Sequence, residues 1–319
     1  MTIVFTFAVS SSGQTLATDA NFKLALPAHQ GQLRWHADGY KVVQSSAKPS
    51  GQEIGIRGRD DSRKITFLGF LFTVAAQTSL TGEKCRDGAL EELKRSNSTL
   101  KVLAVSEIPN SNGLPVEMVT YTAKNHDAKM VYSIRGFVAT GDICGDLELY
   151  SESSISAEDP DLTKIFQSYH FDPSYTPQFN DVFLYGQILY RDRMYEAAAP
   201  IFEQSLTKFK DDKSQETMRR VATDQAGIAY GISGDTPKAR SLFESAIARD
   251  PDYPMYYYNL ACADAQEKKL ADARIHLQQA FARKGNTIPG EVLPDPSKDD
   301  SFLPYRNDKD FWKFVQSLR

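Results

Sequence analysis

The chain has 319 residues, of which 41% are hydrophobic and 24% charged, and its formal net charge is −4. This length suits about two domains, and the apolar fraction is sufficient to bury a core. The net charge lacks the basic excess of a nucleic-acid-binding protein. No stretch reaches the ~20 consecutive apolar residues that a membrane span needs. We therefore expect a folded protein with neither a nucleic-acid partner nor a transmembrane span.

The N-terminus resembles part of a secretory signal. Residues 1–9 are mostly apolar, and small residues follow at 10–13 and 17–20. A signal peptide also needs a basic first region, which is missing here, as it would be if the start codon had been placed too late. We interpret residues 1–20 as a truncated signal peptide of an exported bacterial protein, periplasmic or extracellular. The alternative is an N-terminal β-strand in a cytoplasmic protein.

Residues 21–171 carry the pattern of a sheet. Runs of β-forming residues predict strands at 22–26, 53–57, 65–74, 100–105, 116–121, 130–134 and 147–150. Helices are predicted only at Asp87–Lys94 and Leu162–Ser168, and Asp159 is the expected N-cap of the second. A sheet whose few helices do not alternate with its strands indicates an α+β domain.

The order of these elements resembles a PsbP-like domain. The resemblance rests on the opening Phe22–Pro27, on Trp35, on the antiparallel strands and on the closing helical segment at 161–171. Related domains are chiefly binding or accessory modules, so the resemblance implies a binding role, and it transfers no site residue. Residues 172–178 are then a short stiff linker.

Three cysteines are present, at positions 85, 144 and 262. Cys85 and Cys144 lie in the N-terminal half among polar residues, which suits one disulfide in an oxidising compartment. Cys262 lies among alanines in a predicted helix, where a buried free thiol is expected. These cysteines are too scattered for a zinc site, and the five histidines show no ligand spacing, so no metal is predicted.

Residues 179–319 contain a repeat. Gly227, Tyr230, Ala239, Phe243 and Pro251 match the tetratricopeptide (TPR) pattern. The small–small–large series of this pattern recurs 34 positions later at Ala261, Ala273 and Leu277, and 41 positions before Gly227 at Gly186, Ala198 and Phe202. A seven-residue insertion at roughly 213–219 explains the longer interval.

We therefore identify this half as a TPR solenoid. It should contain three hairpins over 179–287, made of six antiparallel helices, and a capping helix after Asn307. The small residues should let paired helices approach closely, with Gly186 against Ala198 and Gly227 against Ala239.

TPR proteins bind peptides on the first helices of their hairpins, and the resemblance implies the same surface here. The corresponding positions are Phe183, Gln187, Tyr190, Val221, Asp224, Gln225, Ile228, Met255, Tyr258, Asn259 and Cys262. None is a lysine or arginine, so the basic clamp of TPR domains that bind acidic chaperone C-termini is absent. A peptide with apolar anchors is expected instead, with Tyr190 and Tyr258 as the main contacts. Alternatively, this surface packs against the N-terminal domain and is structural.

No motif of a nucleotide-binding loop, a nucleophile elbow, a zinc protease or a C-x-x-C pair occurs, so no catalytic residue and no cofactor is predicted. The leading hypothesis is a non-catalytic TPR adaptor or scaffold that binds another protein or peptide. The alternative is an enzyme or small-ligand-binding protein whose site lies in the N-terminal α+β domain, with the TPR half as an accessory.

Overall fold

The computed structural model of the chain describes residues 17–18, 20–74, 79–110, 113–209 and 215–318. Most of the candidate signal peptide, at 1–20, lies outside these residues. Contacts divide the chain into two compact units, one of Thr15–Leu189 and one that includes Tyr190–Arg319. In the described part of the chain, every helix is too short or too polar to cross a membrane.

The first unit contains two antiparallel sheets. The smaller sheet has the order β1-β2-β3-β11, and its strands are β1 (Ala17–Thr18), β2 (Asn21–Leu24), β3 (Gln32–His36) and β11 (His170–Asp172). The larger sheet has the order β4-β5-β6-β10-β9-β8-β7. Its strands are β4 (Lys41–Ala47), β5 (Glu53–Asp60), β6 (Ile65–Thr73), β7 (Lys101–Ile108), β8 (Val116–Lys124), β9 (Met130–Thr140) and β10 (Ile143–Ser151).

Two helices accompany these sheets. Helix α1 (Gly82–Ser96) packs against β8 and β9, and α2 (Pro160–Ser168) packs against β3. The Asp159 carboxylate accepts a hydrogen bond from the Asp161 N–H and caps α2, as predicted. An antiparallel-sheet domain followed by a helical half is thus confirmed, although the sheets are larger than predicted.

Glycines in the large sheet make room for aromatic side chains of the core. A Cβ atom at Gly69 would lie 2.6 Å from the Trp35 ring, and one at Gly58 would lie 2.2 Å from the Phe67 ring. Trp35 contacts both Phe22 and Phe67 at 5.5 Å between ring centroids. These rings fill the space between the two sheets because Gly58 on β5 and Gly69 on β6 have no side chains to exclude them.

A disulfide joins Cys85 in α1 to Cys144 in β10, with 6.2 Å between their Cα atoms. This separation lies within the range that a disulfide spans. Both residues are buried beneath α1, and Cys262 has a free thiol.

The second unit is helical. Its helices are α4 (Tyr195–Leu206), α5 (Glu216–Ser233), α6 (Thr236–Arg249), α7 (Pro254–Gln266), α8 (Leu270–Ala282) and α9 (Lys309–Ser317), with single 3-10 turns at Lys284–Asn286, Pro296–Lys298 and Asp300–Tyr305. From α4 to α8, each helix packs against the next in the chain. The described part of the predicted insertion begins α5, and Asp308 is the N-cap of α9, which follows Asn307.

Helix α3 (Phe179–Arg191) spans the boundary between the units. The Tyr185 hydroxyl donates hydrogen bonds to the backbone carbonyls of Lys48, at 2.7 Å, and Glu53, at 2.8 Å. Most of this helix therefore belongs with the sheets, and the boundary falls later than the predicted linker at 172–178.

Gly227 on α5 is in close contact with a side chain of α6. A Cβ atom at Gly227 would lie 2.1 Å from Cζ of Phe243. We predicted that Ala239 would lie against Gly227. In the structure, the side chain closest to Gly227 is the Phe243 ring, one turn further along α6. Because the Phe243 ring is larger than the Ala239 methyl group, it is the ring that requires residue 227 to have no side chain.

Candidate functional site

The predicted peptide-binding residues are not open to solvent. Phe183 is buried, Gln187 and Tyr190 are half-buried, and Tyr190 packs against Tyr195 with 5.0 Å between ring centroids. On α5 and α7, the buried members are Asp224, Ile228, Met255, Tyr258 and Asn259, and the half-buried ones are Val221, Gln225 and Cys262. The expectation that Tyr258 offers an accessible anchor is wrong for this conformation, because its side chain is 0% exposed.

The chain itself covers this surface. Residues 284–305, which we call the covering segment, follow α8 and contact α5 and α7. Leu293 packs against two clusters of buried side chains, one containing Met255 and the other containing Tyr258. Ile288 joins the first cluster, and Phe302 is a fully buried member of the second. Burial of Met255 and Tyr258 therefore follows from the fold of the chain's own C-terminal part.

Tyrosine hydroxyls on the covered surface bind carboxylates of the covering segment. The Tyr253 hydroxyl, just before α7, donates to Glu291 at 2.7 Å, and the Tyr258 hydroxyl donates to Asp299 at 3.0 Å. The Cys262 thiol lies 3.6 Å from the same Asp299 carboxylate. Burial and this carboxylate raise the pKa of the Cys262 thiol well above its ordinary value, so it stays protonated and unreactive.

A carboxyl group on α5 is influenced by a second one on the covering segment. Asp224 on α5 is buried and accepts a hydrogen bond from the Asn259 side-chain amide. Burial, and after it the charge of Glu291, raise the pKa of Asp224 well above its ordinary value. Burial also raises the pKa of Glu291, against the opposing effects of its hydrogen bonds from Tyr253 and the Ile288 N–H and of the positive charge of Arg220. When both groups are ionised, they repel the segment from the surface.

The covering segment is held unevenly along its length. In its second half, Phe302 is buried, the Tyr305 hydroxyl donates to the Ala265 carbonyl at 2.8 Å, and the Ser301 hydroxyl is 3.3 Å from Gln266 Nε2. Residues 287–295 form no helix or strand, and Val292 is 82% exposed. The first half is thus the weaker part, held inward chiefly through Ile288, Glu291 and Leu293.

Sequence reasoning missed the covering segment. Residues 287–308 show neither the period of a helix nor that of a strand, so Glu291, Leu293 and Asp299 gave no signal of their own. A trace was available in Asp295-Pro296 and Asp299, which cap the short 3-10 turns. Among the described residues, no group of histidine, cysteine, aspartate or glutamate is arranged to hold a metal ion.

Comparisons with known proteins include similar solved structures, two of which are described here. No protein-family profile and no curated protein matches this chain. The crystal structure of a protein from Bacteroides thetaiotaomicron VPI-5482 is 9% identical, with a TM-score of 0.32 over 68% of this chain and 80% of that one. The solution structure of cyanobacterial PsbP (CyanoP) from Synechocystis sp. PCC 6803 is also 9% identical, with a TM-score of 0.34 over 50% of this chain and 96% of that one. At these TM-scores the likenesses carry no argument, and the architecture rests on the chain's own elements.

Proposed function

We propose that this chain is a non-catalytic adaptor that holds a segment of another protein on the surface of α5 and α7. The observation that carries the proposal is the way residues 287–295 already lie there. They are held by the apolar side chains of Ile288 and Leu293 and by the Tyr253 hydroxyl. This is the recognition chemistry expected for a peptide with apolar anchors.

The proposal includes a TPR-type arrangement for α3–α8. Six helices occupy the predicted range, and the Phe243 ring of α6 packs directly on Gly227 of α5. For the first unit, we retain the PsbP-like interpretation on the strength of its own residues: Phe22, Trp35 and α2 all contribute to its core.

Residues 287–295 can be exchanged for a partner segment at modest cost. Their attachment buries few side chains, and it brings Glu291 towards the buried Asp224. A partner segment would compete with a tethered one, whose effective concentration is of millimolar order. The resting chain therefore protects an apolar surface until a segment of higher affinity arrives.

We also propose that the protein is exported. Disulfides persist in oxidising compartments and are rare in the cytosol of mesophiles. The Cys85–Cys144 bridge supports this location.

The test uses the full chain and a fluorescent peptide that corresponds to residues 287–295. Leu293→Asp places a charge between the two apolar clusters and should loosen the covering segment. Val292→Asp adds the same charge next to it, at a side chain that is 82% exposed, and serves as the matched control. By fluorescence anisotropy, the Leu293→Asp chain should bind the peptide at least about tenfold more tightly than the wild type or the control, which corresponds to about 1.4 kcal/mol.

Circular dichroism must show that the Leu293→Asp variant keeps its helical content. A folded Leu293→Asp chain that does not bind the peptide would overturn the proposal, and the surface would then be an ordinary part of the core. Adding Tyr253→Phe should weaken peptide binding, because the hydroxyl that donates to Glu291 is lost.

A further inference from the structure

A depression lies on the large sheet of the first unit, where β4, β5, β6 and β10 run side by side. Its volume is about 250 Å³, which is below the ~300–1,000 Å³ of drug-sized sites. The residues that line it are Gln44, Ser45, Ser46, Gly55, Ile56, Arg57, Leu68, Phe70 and Tyr150.

Arg57 is the charged group of this depression. Its Nε is enclosed by protein and has no hydrogen-bond partner among the described residues, and its guanidinium forms no salt bridge within them. Other arginines of the large sheet are paired: Arg59 on β5 with Asp61 at 2.8 Å, and Arg135 on β9 with Asp146 at 2.8 Å. Arg57 is half-buried and its guanidinium has no carboxylate partner among the described residues, so its outer nitrogens can bind an anion.

The acid nearest along this row of the sheet has another partner. In the strand register, Arg57 lies opposite Leu68, and Leu68 lies opposite Glu148 on β10. The Glu148 carboxylate accepts a hydrogen bond from the Tyr121 hydroxyl at 2.6 Å. Leu68 therefore separates Arg57 from the carboxylate that could have neutralised it.

Gly55 creates the apolar side of the depression. A Cβ atom there would lie 2.4 Å from Cε1 of Phe70, so the ring rests directly on β5. Leu68 continues this apolar wall on β6, and Gln44 and Ser46 on β4 offer polar groups at the opposite side. One end of the depression thus suits an anionic group, and the other suits a ring or a short alkyl chain.

We infer that this depression binds a small apolar monocarboxylate, with the carboxylate on the guanidinium of Arg57 and the apolar part on Leu68 and Phe70. The planar guanidinium matches a carboxylate in a two-point hydrogen bond. One guanidinium balances one negative charge, and the rest of the lining is neutral, so a dianionic phosphate is disfavoured. This site lies in the first unit and goes beyond the adaptor function proposed for the helical unit.

The experiment measures binding of 3-phenylpropionate and of its neutral amide, 3-phenylpropanamide, to the full chain by saturation-transfer NMR and calorimetry. The acid should bind about tenfold more tightly than the amide. Arg57→Gln should remove this preference, whereas the matched control Arg59→Gln, on the same strand and face but outside the depression, should keep it. Arg57→Lys retains the charge without the planar fork and should lower the preference only in part.

Two results would overturn the inference: equal binding of acid and amide by the wild type, including no binding of either, or loss of the preference in Arg59→Gln as well as in Arg57→Gln. The near-UV circular dichroism of each variant shows whether the sheet has kept its fold. If Arg57→Gln does not fold, the comparison of Arg57→Lys with Arg59→Gln decides, and unchanged binding by Arg57→Lys would count against the two-point contact. Peptide binding by the helical unit is unaffected by these outcomes, so the two proposals fail separately.

Discussion

The contact of Gly227 with Phe243 makes a quantitative prediction for the helical unit. A methyl group at position 227 would lie 2.1, 2.6 and 2.7 Å from three atoms of the Phe243 ring, all well inside van der Waals contact. Phe243 is 2% exposed, so its ring cannot swing into solvent. Overpacking of this kind costs about 1–3 kcal/mol. Helix propensity alone would make glycine-to-alanine stabilising by about 1 kcal/mol.

Gly231 provides the matched control for this substitution. It lies one turn later on α5, and a Cβ atom there meets nothing within 4 Å. Gly231→Ala should therefore stabilise the helical unit by up to about 1 kcal/mol, while Gly227→Ala should be less stable than Gly231→Ala by about 1–3 kcal/mol. The propensity gain is common to both variants, so their difference isolates the clash with the ring.

The assay is urea unfolding followed by far-UV circular dichroism, with both midpoints and slopes compared. Shrinking the ring should relieve the clash, so Phe243→Leu should cost less in the Gly227→Ala background than in the wild type. Equal midpoints for Gly227→Ala and Gly231→Ala would refute the close approach of α5 and α6, and with it the main physical support for the TPR-type hairpin.

Two further predictions concern the disulfide and the buried acids. Replacing Cys85 and Cys144 by serine should lower the free energy of unfolding of the first unit by up to about 4 kcal/mol, because the disulfide closes a loop with a sequence separation of 59. Cys262→Ser is the control. Equal unfolding midpoints for the double variant and for Cys262→Ser would refute the prediction. Asp224 and Glu291 have raised pKa values in the folded chain, so their protonated forms favour folding. This contribution is full below the unfolded pKa of about 4 and is lost as the pH rises towards the folded values. Asp224→Asn should flatten this decline in stability, and a decline parallel to that of the wild type would contradict the assignment.

The helices were easier to predict than the strands, for a physical reason. The spacing of small and large residues from Gly186 to Leu277 located all six helices, because close helix pairs need small residues at fixed positions. Strand β4 was missed because several of its residues are exposed on both faces at the edge of the sheet, which removes the alternation. Strand β11 has three residues, too few to show a period.

The sequence indicated which residues form the candidate surface, but not that another part of the chain covers it. The TPR resemblance implied one surface for Asp224, Tyr258 and Asn259, and the structure brings Asp224 and Asn259 into hydrogen-bond contact. The sequence could not show that residues 284–305 lie over this surface. Contacts such as Tyr258–Asp299 join positions 41 residues apart, and the covering segment has no regular periodicity. Arg57 was also missed, since a lone arginine in a strand carries no motif.

The contacts of the covering segment indicate which side chains a partner segment of higher affinity would have. Leu293 satisfies the apolar clusters and Asp299 satisfies the Tyr258 hydroxyl, so a partner has little to gain at those positions. Glu291 is different, because its carboxylate approaches Asp224 and raises the pKa of that buried acid. A segment with a glutamine at the equivalent position would keep a hydrogen bond to the Tyr253 hydroxyl and remove the repulsion. Under the adaptor proposal, the preferred partner is therefore an extended segment with an apolar anchor next to a neutral polar side chain, and its advantage over the chain's own segment should grow with pH.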